Sequence, residues 1–382
     1  MSGSRAMQAE VAVIGAGPAG CAAAIGLARG GCRVLLLDRA ATARESVCGE
    51  FLGPAAVAAL GRLGLDPGRL GAVPLRQARI GRGGREAGFA LPFPAWALPR
   101  RVLDGALREA AAAAGVVLHT GLAVQGARPA GAGWAVQLPR GAVAARQVVL
   151  ASGKHALRGH PRDGARQGWL GLKLHLEGGA AGEAVTLLPF AGGYAGLQPR
   201  PGGGATLCAA LPGRAAGAAM AWAGDPWVRD PWVRDPWVRD PWAFLARVAA
   251  GSALGARLLA GARPAWERPL AIAGLPYGFR AAPVGPAGLY RVGDQAAVIP
   301  SFTGEGIGLA LQSGLAAAAA ILAGEAATEF QTRWQARIAG PMRWAGLGAW
   351  ALRRAPGGLV AAARLAPAAR LLARRTRLAA GG

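Results

Sequence analysis

The sequence contains no asparagine, only two lysines (Lys154 and Lys173), four cysteines and four histidines in 382 residues. Each shortage excludes something. Cys21, Cys32, Cys48 and Cys208 form no C-x-x-C pair and lie too far apart for a zinc ribbon. With no signal peptide in view, they read as reduced thiols of a cytoplasmic protein. His119, His155, His160 and His175 show neither H-x-x-x-H nor H-E-x-x-H spacing, so no metal site is expected. A G-x-S-x-G elbow is missing, which leaves a serine hydrolase unsupported. There is no long polar tract. With 53% apolar and 16% charged residues, a mostly disordered chain is excluded in favour of one large or two coupled globular domains.

Acidic residues are scarce as well, 20 against 43 basic, for a net charge of +23. Arginine supplies all but two of the cations, and with asparagine absent this is the composition that GC-rich codons produce. The basicity is therefore weak evidence for nucleic acid, and no nucleic-acid motif accompanies it. Residues 11–28 and 306–324 are uncharged and about long enough to span a bilayer. Both are rich in Gly and Ala rather than Leu, and both contain motifs that explain them better, so no transmembrane helix is expected.

Near the start, Val11-Ala12-Val13-Ile14 is a short apolar run followed by Gly15-Ala16-Gly17-Pro18-Ala19-Gly20 and an Ala-rich helical segment. A second buried run, Val34-Leu35-Leu36-Leu37, ends in Asp38 and Arg39. Strand, glycine turn, helix and strand closed by an acid make a βαβ unit that binds a dinucleotide. Gly15 permits the turn, Gly17 admits a pyrophosphate to the backbone, and Gly20 lets the helix lie on the sheet. Asp38 is placed for ribose hydroxyls.

Further along, residues 54–63 suit a helix, 74–93 a hairpin, and 100–114 a helix. Short strands are expected at 116–119, 122–126 and 134–138, with another buried parallel strand at 148–151. Residues 171–176, 184–189, 193–198 and 205–211 read as successive strands of a second, sheet-based domain. His155 stands where the first domain hands over to the second, and is either substrate-facing or an ordinary surface or core histidine. The unit Asp-Pro-Trp-Val-Arg recurs from Asp225, Asp230 and Asp235, and a fourth copy begins at Asp240. Its period of five matches neither helix nor strand, so it reads as a tandem duplication in an exposed connection or as an aromatic, cationic ligand platform.

Gly293-Asp294-Gln295-Ala296-Ala297, then Pro300, then Thr303-Gly304-Glu305-Gly306-Ile307-Gly308 resemble the second flavin motif of flavoprotein monooxygenases. With the opening motif, the chain resembles the FAD-dependent aromatic-hydroxylase and geranylgeranyl-reductase superfamily over roughly residues 9–325. The resemblance implies FAD, with Asp294 on the ribityl chain and Gly293, Gly304 and Gly306 at the ring. Arg100-Arg101-Val102-Leu103-Asp104 resembles the family's R-x-x-L-D helix start, which makes Arg100 a flavin or pyrophosphate contact. Val124 stands where the family contacts adenine through the backbone. Cys48-Gly49 matches the Cys-Gly motif of geranylgeranyl-reductase-like proteins, implying a catalytic or tuning role for Cys48, while a free cysteine is also a small buried hydrophobe. Ala151-Ser152-Gly153 lacks the acid of the hydroxylases' A-D-G, Tyr194-Ala195-Gly196-Leu197-Gln198-Pro199 keeps only the Tyr and Pro of the reductases' Y-x-W-x-F-P, and the W-x-W-x-I-P of tryptophan halogenases is absent.

The expected architecture is α/β, a Rossmann-like FAD-binding domain (residues 7–73, 97–153 and 283–325) interrupted by a β-sheet substrate domain (74–96 and 154–282), with helices over 326–382. No second strand-linked G-x-G-x-x-G exists, so NAD(P)H is expected as a transient electron donor. The expected chemistry is hydroxylation of a small hydrophobic polyketide-, aromatic- or isoprenoid-derived substrate by reduced flavin and O2. The alternatives are C=C reduction of the geranylgeranyl-reductase type and a non-catalytic flavin- or lipid-binding protein. Residues 341–382 carry eight Arg and no acid, interleaved with Trp and Leu. They suit either a peripheral contact with an anionic membrane or a packed helical layer with a solvated Arg face.

Overall fold

A computed structural model describes residues 8–162, 168–179, 181–190, 193–212 and 240–378. The first three copies of the pentapeptide repeat lie outside the described residues. In chain order the elements begin β1 (Gln8–Ile14), α1 (Pro18–Arg29), β2 (Val34–Leu37), β3 (Phe51–Leu52), α2 (Pro54–Leu63), β4 (Val73–Arg82), β5 (Arg85–Ala97) and α3 (Arg100–Ala113). Then come β6 (Val117–His119), β7 (Gly126–Ala130), β8 (Gly133–Gln137), β9 (Ala142–Leu150), β10 (Trp169–Glu177), β11 (Ala184–Phe190), β12 (Gly193–Pro199) and β13 (Ala205–Leu211). The chain continues with α4 (Pro241–Ala249), α5 (Ala253–Leu259), β14 (Arg263–Pro264), β15 (Leu270–Leu275) and β16 (Leu289–Arg291). It closes with α6 (Gly306–Leu322), α7 (Ala327–Arg354), α8 (Pro356–Arg364) and α9 (Ala366–Arg375).

The first sheet runs β6-β2-β1-β9, all parallel, and β9 carries two further neighbours on one side. Its first half pairs antiparallel with β8 of the β7–β8 hairpin, and Val148–Leu150 pair parallel with β16. The strands at its centre are apolar on both faces, as a parallel sheet covered by helices requires: Val11 to Ile14 and Val34 to Leu37 are all buried. Helix α1 is wedged between this sheet and α6, and the approach is close because both helices carry glycine and alanine. A Cβ on Gly314 would collide with the Ala19 carbonyl, and one on Gly26 would meet Ala318 at 2.8 Å. Segments 11–28 and 306–324 are thus buried core rather than membrane spans. Among the described residues no helix is long and apolar enough to cross a membrane.

The second sheet runs β14-β10-β13-β12-β11-β4-β5-β3, antiparallel except for the parallel β11–β4 pair, and β15 also pairs with β10. On β10, Leu170, Leu172, Leu174 and Leu176 pack into a core under α4 and α5. The alternation of a strand sends Gly171, Lys173 and His175 to the opposite face. The strand expected at 122–126 does not form. After the turn at Gly121 the segment is held at Leu122 N–H to Asp38 O (2.9 Å) and Gln125 N–H to Gln137 O (2.9 Å). Strand β8 ends at Gln137, so residues 122–124 have no ladder to join. Val124 therefore lies in irregular backbone, not in a strand.

Candidate FAD and substrate cavity

A single cavity of about 1070 Å³ runs from the β1–α1 turn across to β4, β5, β11 and the last two helices. That exceeds the roughly 300–1,000 Å³ of ordinary small-molecule sites, leaving room for more than one ligand. Gly15, Gly17, Asp38, Arg39, Cys48, Arg100, Val124, Gly293, Asp294, Gly304 and Gly306 all line it. Gly20 does not. Its α-carbon is pressed on the Gly15 carbonyl, where a Cβ has no room, so its part is helix-on-strand packing.

The turn has the shape the chemistry needs. Gly15 has φ +107°, and a Cβ there would strike the Ala151 carbonyl. Gly17 faces open space: a Cβ there would find Arg100 Nη2 as its nearest neighbour, at 3.8 Å. Pro18 opens α1 without needing an N–H partner, and no acid occupies the first turn, so the positive end of the helix is left to a ligand. Asp38 accepts from Ala16 N–H (2.7 Å) and Ala40 N–H (2.7 Å) and pairs with Arg108 (3.2 Å). A carboxylate has about four acceptor positions, so one remains for a hydroxyl.

Arg100 is clamped by a bidentate pair with Asp104, one turn on (2.9 and 2.8 Å). Burial pulls its pKa down, but the Asp104 carboxylate outweighs that and holds it above the ordinary value, with Cys48 adding to the effect at close range. Arg39 stands 2.6 Å from His155 Nε2. Burial and the cations Arg39, Arg44, Arg162 and Lys154 push the His155 pKa down to about 4, so the ring is a neutral acceptor. His155 lines the cavity beside Arg39, the residue that follows Asp38.

The loop from Glu45 to Glu50 joins the two sheets, and beneath it lies a buried polar cluster that sequence reasoning did not find. The Lys173 ammonium, fully buried, donates to Glu45 (2.6 Å) and contacts Glu50. Thr206 Oγ1 donates to Glu50 Oε2 (2.7 Å), and the Arg100 backbone N–H donates to Glu50 Oε1 (2.9 Å). His175 lies 3.5 Å from Glu50 and stacks on Trp266 with ring centroids 4.3 Å apart. Burial raises the Glu50 pKa, but His175, Lys173 and Thr206 overcome it and bring the pKa to about 2. Among the described residues Glu50 is also the non-glycine residue with φ in the left-handed region (+61°), a conformation that costs about 1–3 kcal/mol and so depends on these partners. The cluster fixes Cys48-Gly49 at the cavity wall: Cys208 S–H donates to Cys48 O (2.9 Å), and Glu50 N–H points to Cys48 Sγ (3.4 Å). One signal was legible. Lys173 is one of two lysines and alternates with leucines on β10.

At the other end, Gly304 has φ +69° and α6 starts at Gly306, which has open space around it. Glu305, between them, is buried and pairs with Arg377 from the C-terminal region (2.6 Å); burial raises its pKa against the pull of Arg377. Beyond this point the cavity turns apolar, walled by Ile80, Phe89, Leu91, Leu187, Leu359 and Leu372. Tyr194, bonded to Ser301 at 2.9 Å, has its pKa pushed up to about 12 by burial, and Tyr277 is raised well above its usual value for the same reason. Both are neutral phenols at the junction.

Comparison with known proteins agrees with this geometry. Residues 8–134 match the model of the family described as FAD binding domain. A menaquinone reductase from Mycolicibacterium smegmatis is 37% identical over 122 residues, 31% of this chain and 30% of that protein. The match thus spans under a third of the curated relative's length. The solved structure of the myxobacterial chondrochloren halogenase CndH, a variant of FAD-dependent halogenases, superimposes with TM-score 0.74 at 22% identity over 97% of this chain and 91% of that one. A geranylgeranyl bacteriochlorophyll reductase-like protein from Thermoplasma acidophilum gives TM-score 0.66 at 18% identity, covering 91% and 88%. The glycine turn open at Gly17, the free helix end at α1 and the second glycine turn at Gly304 fit FAD. Residues 8–134 thus carry an FAD binding domain, and the chain as a whole shares its fold with FAD-dependent halogenases and a geranylgeranyl-reductase-like protein.

Proposed function

We propose that this protein is an FAD-dependent reductase that saturates a C=C bond of an apolar, isoprenoid-type substrate, with transiently bound NAD(P)H as the electron donor. The observation that carries the reading is the continuity of one cavity whose dinucleotide end and apolar arm meet at Cys48-Gly49. The name of the M. smegmatis relative, menaquinone reductase, supports it.

In this reading the amides after Gly15 and Gly17 would take the FAD pyrophosphate, with Arg100 beside Gly17 and Gly20 keeping α1 on the sheet. Asp38 takes a ribose hydroxyl, Arg39 flanks it, and the Val124 backbone borders the adenine. Asp294 would hold the ribityl chain, and the amides around Gly293, Gly304 and Gly306 would serve the ring. Reduced FAD supplies a hydride. The chain's own part is to lay the alkene in the dry arm, exclude water, and deliver the balancing proton. Cys48 Sγ would carry that proton to the second alkene carbon and regain one from water. Cys48→Ala should keep FAD while lowering turnover by roughly 10²–10⁴-fold, the usual worth of a positioned acid.

A second reading is hydroxylation with O2. The neutral Tyr194 and Tyr277 and the absence of a strong base along the described wall of the apolar arm favour it, because that chemistry needs no strong general base. Mass spectrometry of the product separates the two. Reduction adds two hydrogens to the substrate, whereas hydroxylation adds one oxygen atom, and an unchanged substrate overturns both.

A further inference from the structure

We infer that the outer face of α7, α8 and α9 docks on an anionic lipid bilayer, bringing the apolar arm of the cavity to the membrane surface. The inference deepens the reading of that arm as an apolar-substrate site and rests on it for its purpose. Its evidence is separate.

Among the described residues nine large apolar side chains are exposed, and five fall within residues 344–371: Trp344 (38%), Leu347 (59%), Trp350 (61%), Leu365 (66%) and Leu371 (50%). On α7, Arg343, Leu347, Trp350 and Arg354 are all exposed and recur at steps of four, three and four, which puts them on one stripe. No acid follows Glu329 in the sequence. The exposed Arg343, Arg354, Arg370, Arg374 and Arg375 have no ion-pair partner among the described residues. The inner side of the last two helices carries Leu359, Ala363, Ala369 and Leu372 to the cavity wall.

A helical cap that is apolar inside and mixes Trp, Leu and Arg outside has the composition of an element lying in a bilayer interface. Indole rings settle at headgroup depth, leucines reach the acyl boundary, and guanidinium groups meet lipid phosphates. A soluble substrate would give exposed Leu365 and Leu371 no role. A chain drawn from the bilayer would enter beside the two helices whose inner side lines the cavity.

The test is co-sedimentation of the FAD-loaded full chain with vesicles of phosphatidylcholine alone and of phosphatidylcholine mixed with phosphatidylglycerol, at low and high salt. Binding should require the anionic lipid and weaken as salt screens it. Arg370→Gln/Arg374→Gln/Arg375→Gln should lose affinity for the anionic vesicles by roughly a hundredfold, at about fivefold per arginine near the surface. Leu365→Asp/Leu371→Asp should lose the binding that survives high salt. Both variants should keep the flavin spectrum and thermal midpoint of the parent, since all five side chains are exposed. Absence of vesicle binding, equal binding by either variant, equal binding to neutral vesicles, or displacement of vesicles by duplex DNA would overturn the inference. The readout needs no turnover, so a protein that docks but reduces no alkene leaves docking standing and removes only the reductase reading.

Discussion

Lys173 shows what a single residue does for the site. Its ammonium is the buried counter-charge of Glu45 and Glu50, and the loop that presents Cys48 rests on all three. Lys173→Met would strand a buried carboxylate, at a cost of about 3–5 kcal/mol. The variant should show a thermal midpoint well below the parent's, and adding Glu50→Gln to it should restore part of the loss. At the dinucleotide end, Gly17→Val and Asp294→Ala should each abolish FAD retention, checked by the absorbance of the purified proteins. Normal flavin content in both would sink the assignment of the cofactor residues.

Acid should act on the fold through two residues, in sequence. The His155 pKa is depressed from 6.5 to about 4, so the folded state resists its protonation. Its contribution is present above pH 6.5 and is lost as pH falls through about 4. Glu50, depressed from 4.5 to about 2, contributes above pH 4.5 and loses its contribution as pH falls through about 2. Thermal unfolding of His155→Gln should therefore vary less with pH between 6.5 and 4 than that of the parent. An identical pH dependence would contradict the placement of this ring among cations.

At the scale of elements, the βαβ opening, α2 and most of the second sheet were legible in the sequence, because period and glycine placement are local signals. Strand β13 and helix α2 fall where the pattern sets them. What was not legible depends on distant partners. Residues 122–124 carry a strand-like pattern but lack a neighbour to pair with, and Glu50 needs Lys173, 123 residues away, to hold its backbone in place. The Glu305–Arg377 pair is another case: it ties the C-terminal region to the turn that starts α6. Arg377→Ala should leave the buried Glu305 unpaired, destabilise by roughly 3–5 kcal/mol, and speed hydrogen exchange in α9. Unchanged exchange there would show that the helix is held by its other contacts.

For the whole molecule, the net charge of +23 reads differently once its distribution is known. Part of it surrounds the dinucleotide end, where Arg39, Arg44, Arg108 and Lys154 line the cavity and suit phosphates. Another part faces outward from the last three helices beside Trp and Leu. Between the two, the buried Glu50–Lys173 cluster joins the sheets beneath the Cys48 loop of the cavity wall. In the proposed reading an anionic cofactor would take one end of the cavity and an apolar substrate the other, with the Cys48 loop between them.

The account is tested most directly by anaerobic mixing of the chemically reduced holoprotein with an isoprenoid quinone such as menaquinone. The prediction is return of the oxidised flavin spectrum under nitrogen, with one substrate molecule gaining two hydrogens for each flavin reoxidised. Those hydrogens should remain on the isoprenoid chain after the quinone ring is re-oxidised in air. A flavin that stays reduced until O2 is admitted would contradict the reductase and leave hydroxylation in its place.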